Sequence, residues 1–332
     1  MISVVIPTRG TGDFTKLTHL LNSLKEQTLQ AEEILIIIDF DVPQRPLKTL
    51  LHDFTKGDRH ATSMNIALLN QDGYRVSAAR NYGVAQAKGD YVLLCDDDIV
   101  LHEADCLEKI YEQYHTKKVS YDDHDKQVRE LIFYPTITFH DTGHVQTQGF
   151  VSYNRLLCRP VPKYSIEWKS KAWKRLPVGW VQSQPAYGDV QLIGSICVFA
   201  AKGTLVNHPY DEKFVFIYED LERSYRAYRS GVAIVISDTV TVQHRESEKD
   251  MLARSYIDTP EHVYLKTRHR IRFALRHARG RQLLSFYLIG FWVSNLRTLL
   301  YIYLYGTRKD KLRKSRRKGI VDGLRYDPPS VV

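Results

Sequence analysis

Three adjacent carboxylates, Asp96-Asp97-Asp98, follow directly on the apolar run Tyr91–Cys95. Acids side by side at a strand end repel one another unless a cation or a set of hydrogen-bond donors neutralises them. Hard divalent cations take such oxygens and often bridge them to substrate phosphates. If the strand continues, Asp96 and Asp98 point to one side; the ordinary alternative is a solvated polar turn. Upstream, Arg80-Asn81 could hold a phosphate or a base, or simply pair with an acid on a helix surface. Tyr218-Glu219-Asp220 opens a helical segment, where Asp220 can serve as an N-cap or as a general base aimed into a cleft. His244 follows the alternating run Thr239–Gln243 and so stands at a strand end. A lone histidine there is either structural or a ligand.

The elements that must position these residues are legible in the apolar pattern. Ile2–Ile6 is a short buried-strand run stopped by Pro7. Phe14, Leu17, Leu20, Leu21 and Leu24 repeat at helical spacing, with Asp13 or Thr15 as the N-cap. Ile34–Ile38 is a second β-branched run closed by Asp39, and Asn65–Leu69 is a weaker third. Ser77 is placed to cap a helix over Ala78–Ala87, with Gly89 at C′. Continuous apolar strands alternating with helices predict a mainly parallel sheet covered on both faces. Ligands then sit beyond the carboxyl ends of the strands, where Asp39 and the triple acid lie. Further on, Cys106–Tyr114 reads as a helix, Lys117–Arg129 as a polar loop, and 131–158 as strands and turns. Residues 160–190 hold Trp168, Trp173 and Trp180 among Lys, Pro and Gly, as an irregular loop over a cleft would. A helix ends at Gly231, and Val232–Ile236 is a strand.

The chain has 332 residues, 43% hydrophobic and 26% charged, enough for one large domain or a domain and a half. Collagen-like, low-complexity and wholly disordered classes are excluded. The four cysteines form no CxxC pair, so a disulfide framework is not expected and a reducing compartment fits best. The opening MISVVIPTRG reads as a strand and not as a signal peptide. The net charge of +9 is uneven: residues 262–318 carry sixteen Lys/Arg against Asp310, a net +15, which leaves −6 on the rest. Such asymmetry points to an anionic partner, a membrane surface or nucleic acid. No nucleic-acid recognition motif accompanies it, so nucleic acid is not the expected partner. Residues 262–281 read as a basic helix. Residues 283–305 are rich in Leu, Phe, Tyr and Trp, but interrupted by Ser285, Gly290, Ser294, Asn295 and Arg297. A central Arg disfavours a membrane span, and the segment reads as an interfacial helix flanked by basic clusters; a core helix is the alternative.

In order and spacing these segments resemble family 2 glycosyltransferases of the GT-A fold. SVVIPTRG resembles that family's first strand and nucleotide loop, and IIIDFD its second strand with a base-binding Asp. SAARNYGVAQAKGDYVLLCDDDIV is similar to the segment that carries the metal-binding DXD motif, and GSICVFAAKGTLVNHPYDEKFVFIYEDLERSYRAYRSG to the acceptor segment with its ED base motif. KTRHRIRFALRH and GIVDGL resemble the tail of bacterial rhamnosyltransferase-like members. The resemblance implies an α/β GT-A (Rossmann-like) fold with a nucleotide-sugar half (1–100), an acceptor half (101–245) and a helical, basic and aromatic extension (246–332). It implies an inverting sugar transfer from a UDP- or dTDP-type donor to a hydroxyl of a saccharide, lipid-linked in cell-surface polysaccharide assembly. Pro7, Thr8, Arg9, Asp39, Arg80, Asp96 and Asp97 would then bind the donor. Asp98, with Asp96 and His244, would hold Mn²⁺ or Mg²⁺, and Asp220 would be the base with Glu219 as its substitute. Trp168, Trp173, Trp180 and Gly194 would face the acceptor. The basic tail places the enzyme on the inner face of the cell membrane. Three competing readings are transfer to a polyprenyl phosphate, a non-catalytic sugar-binding protein, and a nucleic-acid-binding protein.

Overall fold

A computed structural model describes residues 1–8, 14–39, 44–55, 65–71, 76–124, 130–154, 159–162, 188–248, 259–305 and 309–325. The first strand, β1 (Ile2–Pro7), is buried along its whole length. It lies between β2 (Glu33–Asp39) and β4 (Tyr91–Cys95), parallel to both, and β3 (Asn65–Gln71) extends the parallel array on the far side of β2. Each fully buried Val or Ile here contributes about 1.5–3 kcal/mol by leaving water. That is why the apolar runs fold as central strands.

Helix α1 (Thr15–Lys25) starts after Phe14, which makes no side-chain cap hydrogen bond, so Thr15 is the first helical residue and not the cap. Helix α2 (Gln44–Thr55) follows β2. Helix α3 (Val76–Gln86) packs flush on the sheet because residue 83 is glycine: a Cβ there would lie 2.4 Å from Val5 Cγ1. Ser77 is inside this helix, and its hydroxyl donates to the Phe214 carbonyl at 2.7 Å, so it ties the two halves of the fold together instead of capping.

The second half is mixed. The short β5 (Ile99–Val100) is followed by α4 (Cys106–His124), which continues to His124 into the polar stretch 117–129 expected to be a loop. No Gly or Pro interrupts residues 106–124, and charged and polar residues there stay helical on the solvent side. Strand β6 (Glu130–Phe139) pairs with β7 (Val145–Thr147), and β8 (Phe150–Asn154) with β9 (Arg159–Pro162). Strand β10 (Cys197–Ala201) inserts antiparallel between β4 and β6, and helix α5 (Lys202–Asn207) follows it. Helix α6 (Glu219–Arg229) precedes β11 (Val232–His244), which continues past the expected Ile236 and runs parallel to β6. The order across the sheet is β3-β2-β1-β4-β10-β6-β11-β5.

The C-terminal region is helical. Helix α7 (Pro260–His277) is capped by Thr259, whose hydroxyl accepts from the His262 amide. Helix α8 (Arg281–Ser285), a π-turn (Phe286–Gly290) and α9 (Phe291–Tyr305) run in succession, and α10 (Lys309–Leu324) returns against α7. Gly319 permits that contact, since a Cβ would lie 2.7 Å from the Tyr264 carbonyl oxygen. Phe286, Gly290, Asn295 and Ile302 face inward, and Arg316 Nη1 donates to Asn295 Oδ1 at 3.0 Å. Leu284, Leu288, Trp292, Leu296 and Leu300, four residues apart, face outward. Among the described residues, Arg281–Leu300 is long and apolar enough to cross a membrane by length and composition, and only 19% of that window is buried.

Candidate active site

The acidic triplet leaves the strand at once. Cys95 ends β4, Asp97 and Asp98 form a turn, and the three carboxylates go to three different partners rather than to one side. Asp96 Oδ1 accepts from Arg80 Nη2 at 2.7 Å. Thr8, just beyond the end of β1 and 3% exposed, donates its hydroxyl hydrogen bond to Asp97. Asp98 Oδ1 lies 3.2 Å from His244 Nε2, and its Oδ2 accepts from Lys16 Nζ at 3.1 Å. The turn is closed by backbone bonds on both sides, from the Asp96 amide to the Ile196 carbonyl and from the Arg245 amide to the Asp98 carbonyl.

These environments separate the three acids electrostatically. Burial alone would raise Asp98, but the His244 hydrogen bond and charge, with Lys16, bring it down to about 2. Burial pushes Asp97 up to about 6 against the Thr8 hydrogen bond, with the Asp98 and Asp96 charges adding to the rise. Asp96 is also raised, because burial outweighs Arg80. His244 is raised from its ordinary value: burial opposes its charge, but Asp98 and Glu246 favour it. Its other ring nitrogen lies 2.9 Å from Gln146 Oε1. Both ring nitrogens therefore face acceptors, the arrangement of an imidazolium.

Arg80 connects this turn to the second acidic pair. It sits on the buried face of α3, 4% exposed, where Gly83 lets the helix approach the sheet. Besides Asp96, its Nη1 donates to Glu219 Oε1 at 3.3 Å, and its guanidinium lies 5.3 Å from the Tyr210 ring centre. One cation thus serves Asp96 and Glu219, with Asp220 next in the chain. Burial and the Asp220 charge push Glu219 up to about 8, against Arg80. Burial also raises Asp220, although Arg80 and the Leu221 amide oppose it. Glu219 Oε2 is buried without a hydrogen-bond partner among the described residues. Both acids of the pair are thus held above the ordinary carboxylate range, with Arg80 as the charge that opposes the rise.

The backbone in front of this pair is strained. Ile217 and Tyr218 hold φ of 63° and 77°, the left-handed region that a β-branched residue avoids. Each such residue costs on the order of 1–3 kcal/mol and persists only where the surroundings enforce it. Asp220 Oδ1 accepts from the Leu221 amide at 2.7 Å, while its Oδ2 faces Gly194: a Cβ on Gly194 would lie 3.4 Å from that oxygen and 3.6 Å from the Tyr134 hydroxyl. Gly194 thus sets no side chain against that oxygen. Tyr134, fully buried on β6, has no hydrogen-bond partner for that hydroxyl among the described residues.

Pro7 closes β1 and Asp39 closes β2, both at carboxyl ends of parallel strands. Arg9, Trp168, Trp173 and Trp180 lie outside the described residues. Tyr134, Tyr210 and the buried His269 escaped the sequence reading. Tyr134 and Tyr210 sit in ordinary apolar or Pro-rich contexts, and His269 lies fifty residues from the turn it touches.

A family model described as Glycosyl transferase family 2 matches residues 3–159, which run from β1 to the first residue of β9 and include the acidic triplet. Over this region, just under half of the chain, the sequence is similar to glycosyl transferase family 2. Over 98 residues it is 37% identical to the glycosyltransferase YwdF of Bacillus subtilis, covering 29% of this chain and 32% of that protein. The chain spans less than half the length of the curated relatives it matches. Among solved structures, the mannosyltransferase PcManGT of Pyrobaculum calidifontis, in complex with GDP-Man and Mn²⁺, superposes with a TM-score of 0.51. Identity there is 12%, and 99% of this chain and 76% of that one are covered. S. aureus TarS 1-349 in complex with UDP-GlcNAc gives 0.50 at 16% identity, covering 97% and 89%. At these identities the likeness is one of fold, and that fold is GT-A.

Proposed function

We propose that this chain is a family 2 member that transfers a sugar from a nucleoside-diphosphate donor to a hydroxyl of a saccharide, with inversion at the anomeric carbon. The observation that carries this is Arg80, which joins the acidic turn at the end of β4 to the Glu219–Asp220 pair at the start of α6. In this reading the turn holds the leaving diphosphate and the pair receives the acceptor. Asp220 accepts the hydroxyl proton, the acceptor oxygen bonds to the anomeric carbon, and the bond from that carbon to the phosphate oxygen breaks on the opposite face, releasing the nucleoside diphosphate. Thr8 and Asp97 line the donor side, where Asp39 also ends β2, and Gly194 gives the acceptor access to Asp220. The nucleotide sugars in the two structures of like fold support a donor of this class.

Among the described residues no group of three or more His, Cys, Asp or Glu side chains is arranged to hold a metal ion alone. Asp98 and His244 nevertheless offer an oxygen and a nitrogen 3.2 Å apart. Once the Nε2 proton of His244 is displaced, that pair would suit a cation, with diphosphate oxygens and water available as its further ligands. Mn²⁺ or Mg²⁺ there would neutralise charge on the leaving diphosphate.

The acceptor is proposed to be lipid-linked and the enzyme to lie on the inner face of the membrane. Support comes from the outward stripe of Leu284, Leu288, Trp292, Leu296 and Leu300, beside the basic residues of α10. The inward face of the same segment packs on protein through Asn295 and Arg316, which favours lying on a bilayer over crossing it.

The test is a thermal-shift panel of UDP, dTDP, GDP and CDP, each with Mn²⁺, Mg²⁺ or EDTA. Ligand at about 100 times its dissociation constant stabilises by about 2.7 kcal/mol. One nucleoside diphosphate should raise the transition in a metal-dependent way, and Asp98→Ala should abolish that dependence. No rise with any nucleotide contradicts the proposal.

A further inference from the structure

The left-handed turn before Glu219 is held from one side by a helix of the C-terminal region. His269, fully buried on α7, places Nδ1 2.9 Å from the Phe216 carbonyl oxygen and 2.8 Å from that of Ile217. Carbonyls only accept, so Nδ1 carries the proton. The adjacent Arg268 Nη2 lies 2.7 Å from Nε2, and an always-charged donor there requires a lone pair on that nitrogen. The two contacts together fix one neutral tautomer. Burial and the Arg268 charge keep it neutral, lowering the histidine to about 4.

The same face of α7 supplies further contacts at helical spacing. The His262 ring stacks on Phe216, and Phe273 meets Tyr218 edge-on, both at 5.8 Å. Two turns beyond His269, Arg276 Nε lies 2.9 Å from Oε1 of Glu222, the fully buried acid one turn into α6. Helix α6 is therefore gripped both at its entry turn and within its first turn by one helix. The first α6 hydrogen bond, from the Glu222 amide to the Tyr218 carbonyl at 2.9 Å, starts from the strained residue itself.

We infer that His269 is a positioning residue for sugar transfer: its Nδ1–H clamps residues 216–217 in the left-handed turn that aims Asp220 past Gly194. His269 touches no donor or acceptor in this assignment. It acts by keeping Ile217 and Tyr218 in a conformation they would otherwise leave, and with them the direction of the first turn of α6. The inference rests on the proposed role of Asp220 as the base.

The experiment compares wild type with His269→Leu, which keeps bulk and loses the donor, and His269→Asn, whose amide can place an N–H where Nδ1 stands. Two readouts are taken on the full chain. In hydrogen exchange, the Glu222 amide and its neighbours in 218–222 should exchange about 10-fold faster in His269→Leu and at close to the wild-type rate in His269→Asn. In transfer assays, kcat should fall on the order of 10–100-fold in His269→Leu with the donor KM little changed, and His269→Asn should recover most of it. The metal-dependent nucleotide thermal shift, retained in both, shows that the donor half is folded. Unchanged exchange in His269→Leu, or an Asn variant as impaired as the Leu variant in both readouts, overturns the clamp. A wild-type protein that transfers no sugar refutes the functional reading instead, and the exchange arm still decides whether His269 holds the turn.

Discussion

Replacing Arg80 by Met tests the electrostatic joint between the two acidic clusters. The substitution keeps an unbranched side chain and removes the one cation shared by Asp96 and Glu219. Removing one partner of a buried pair costs about 3–5 kcal/mol, because the other is left charged and dry. Here two carboxylates lose the partner, but Asp96 keeps 29% side-chain exposure against 7% for Glu219, so solvent relieves part of the loss. A deficit near the low end, about 3 kcal/mol, is expected at pH 8. Its pH dependence follows from linkage. Without Arg80 the folded carboxyl groups titrate even higher than in wild type, where Glu219 already stands at about 8 against an ordinary 4.5. A folded state with raised carboxyl values binds more protons than the unfolded chain, so its stability falls as pH rises. The deficit of Arg80→Met should thus be small at pH 5 and grow toward pH 8. Urea unfolding followed by tryptophan fluorescence at both pH values measures it, and Arg80→Lys should fall between, since a single ammonium cannot bridge as a planar fork does. A deficit below about 1 kcal/mol at pH 8, within the range of an exposed ion pair, would refute the shared-cation argument; so would a deficit equal at pH 5 and pH 8.

Two further predictions concern the C-terminal helices. The full chain should co-sediment with vesicles containing anionic lipid, and binding should weaken with salt and with Trp292→Asp or Leu296→Asp, residues 65% and 68% exposed. Each basic residue near such a surface adds about 1 kcal/mol, so equal binding to neutral and anionic vesicles would remove the membrane proposal. Gly319→Leu should lower the unfolding free energy by about 1–3 kcal/mol, as overpacking does, and with it the unfolding midpoint, because its Cβ would meet the Tyr264 carbonyl oxygen at 2.7 Å. An unchanged midpoint would show that α7 and α10 are not held in this contact.

The elements that were legible in the sequence are those whose order is local. Ile2–Ile6 and Ile34–Ile38 are continuous β-branched runs, and each became a central parallel strand ending where Pro7 and Asp39 stop it. The acidic turn stood out because three adjacent acids repel one another without a partner, and Arg80 and Glu219–Asp220 because of the motifs in which they stand. What the local pattern could not carry was partnership at long range. Ser77 reads as a cap until Phe214, 137 residues away, takes its hydroxyl. Asp96 and Asp98 read as a two-apart pair until the strand stops and Arg80 and His244 pull them apart. The polar stretch after Tyr114 reads as a loop because solvent-facing helix residues look the same in sequence. The left-handed Ile217 carries no signal at all, since its conformation is imposed by His269 from another helix.

The central claim is that Asp220 is the base of a sugar transfer. Its most direct test is the full-length Asp220→Asn variant, assayed with the donor nucleotide selected by thermal shift. A general base contributes about 10²–10⁴-fold, so transfer should fall within that range. The metal-dependent thermal shift by the nucleoside diphosphate should persist, because the donor side is untouched. Transfer at the wild-type rate by Asp220→Asn would contradict the account.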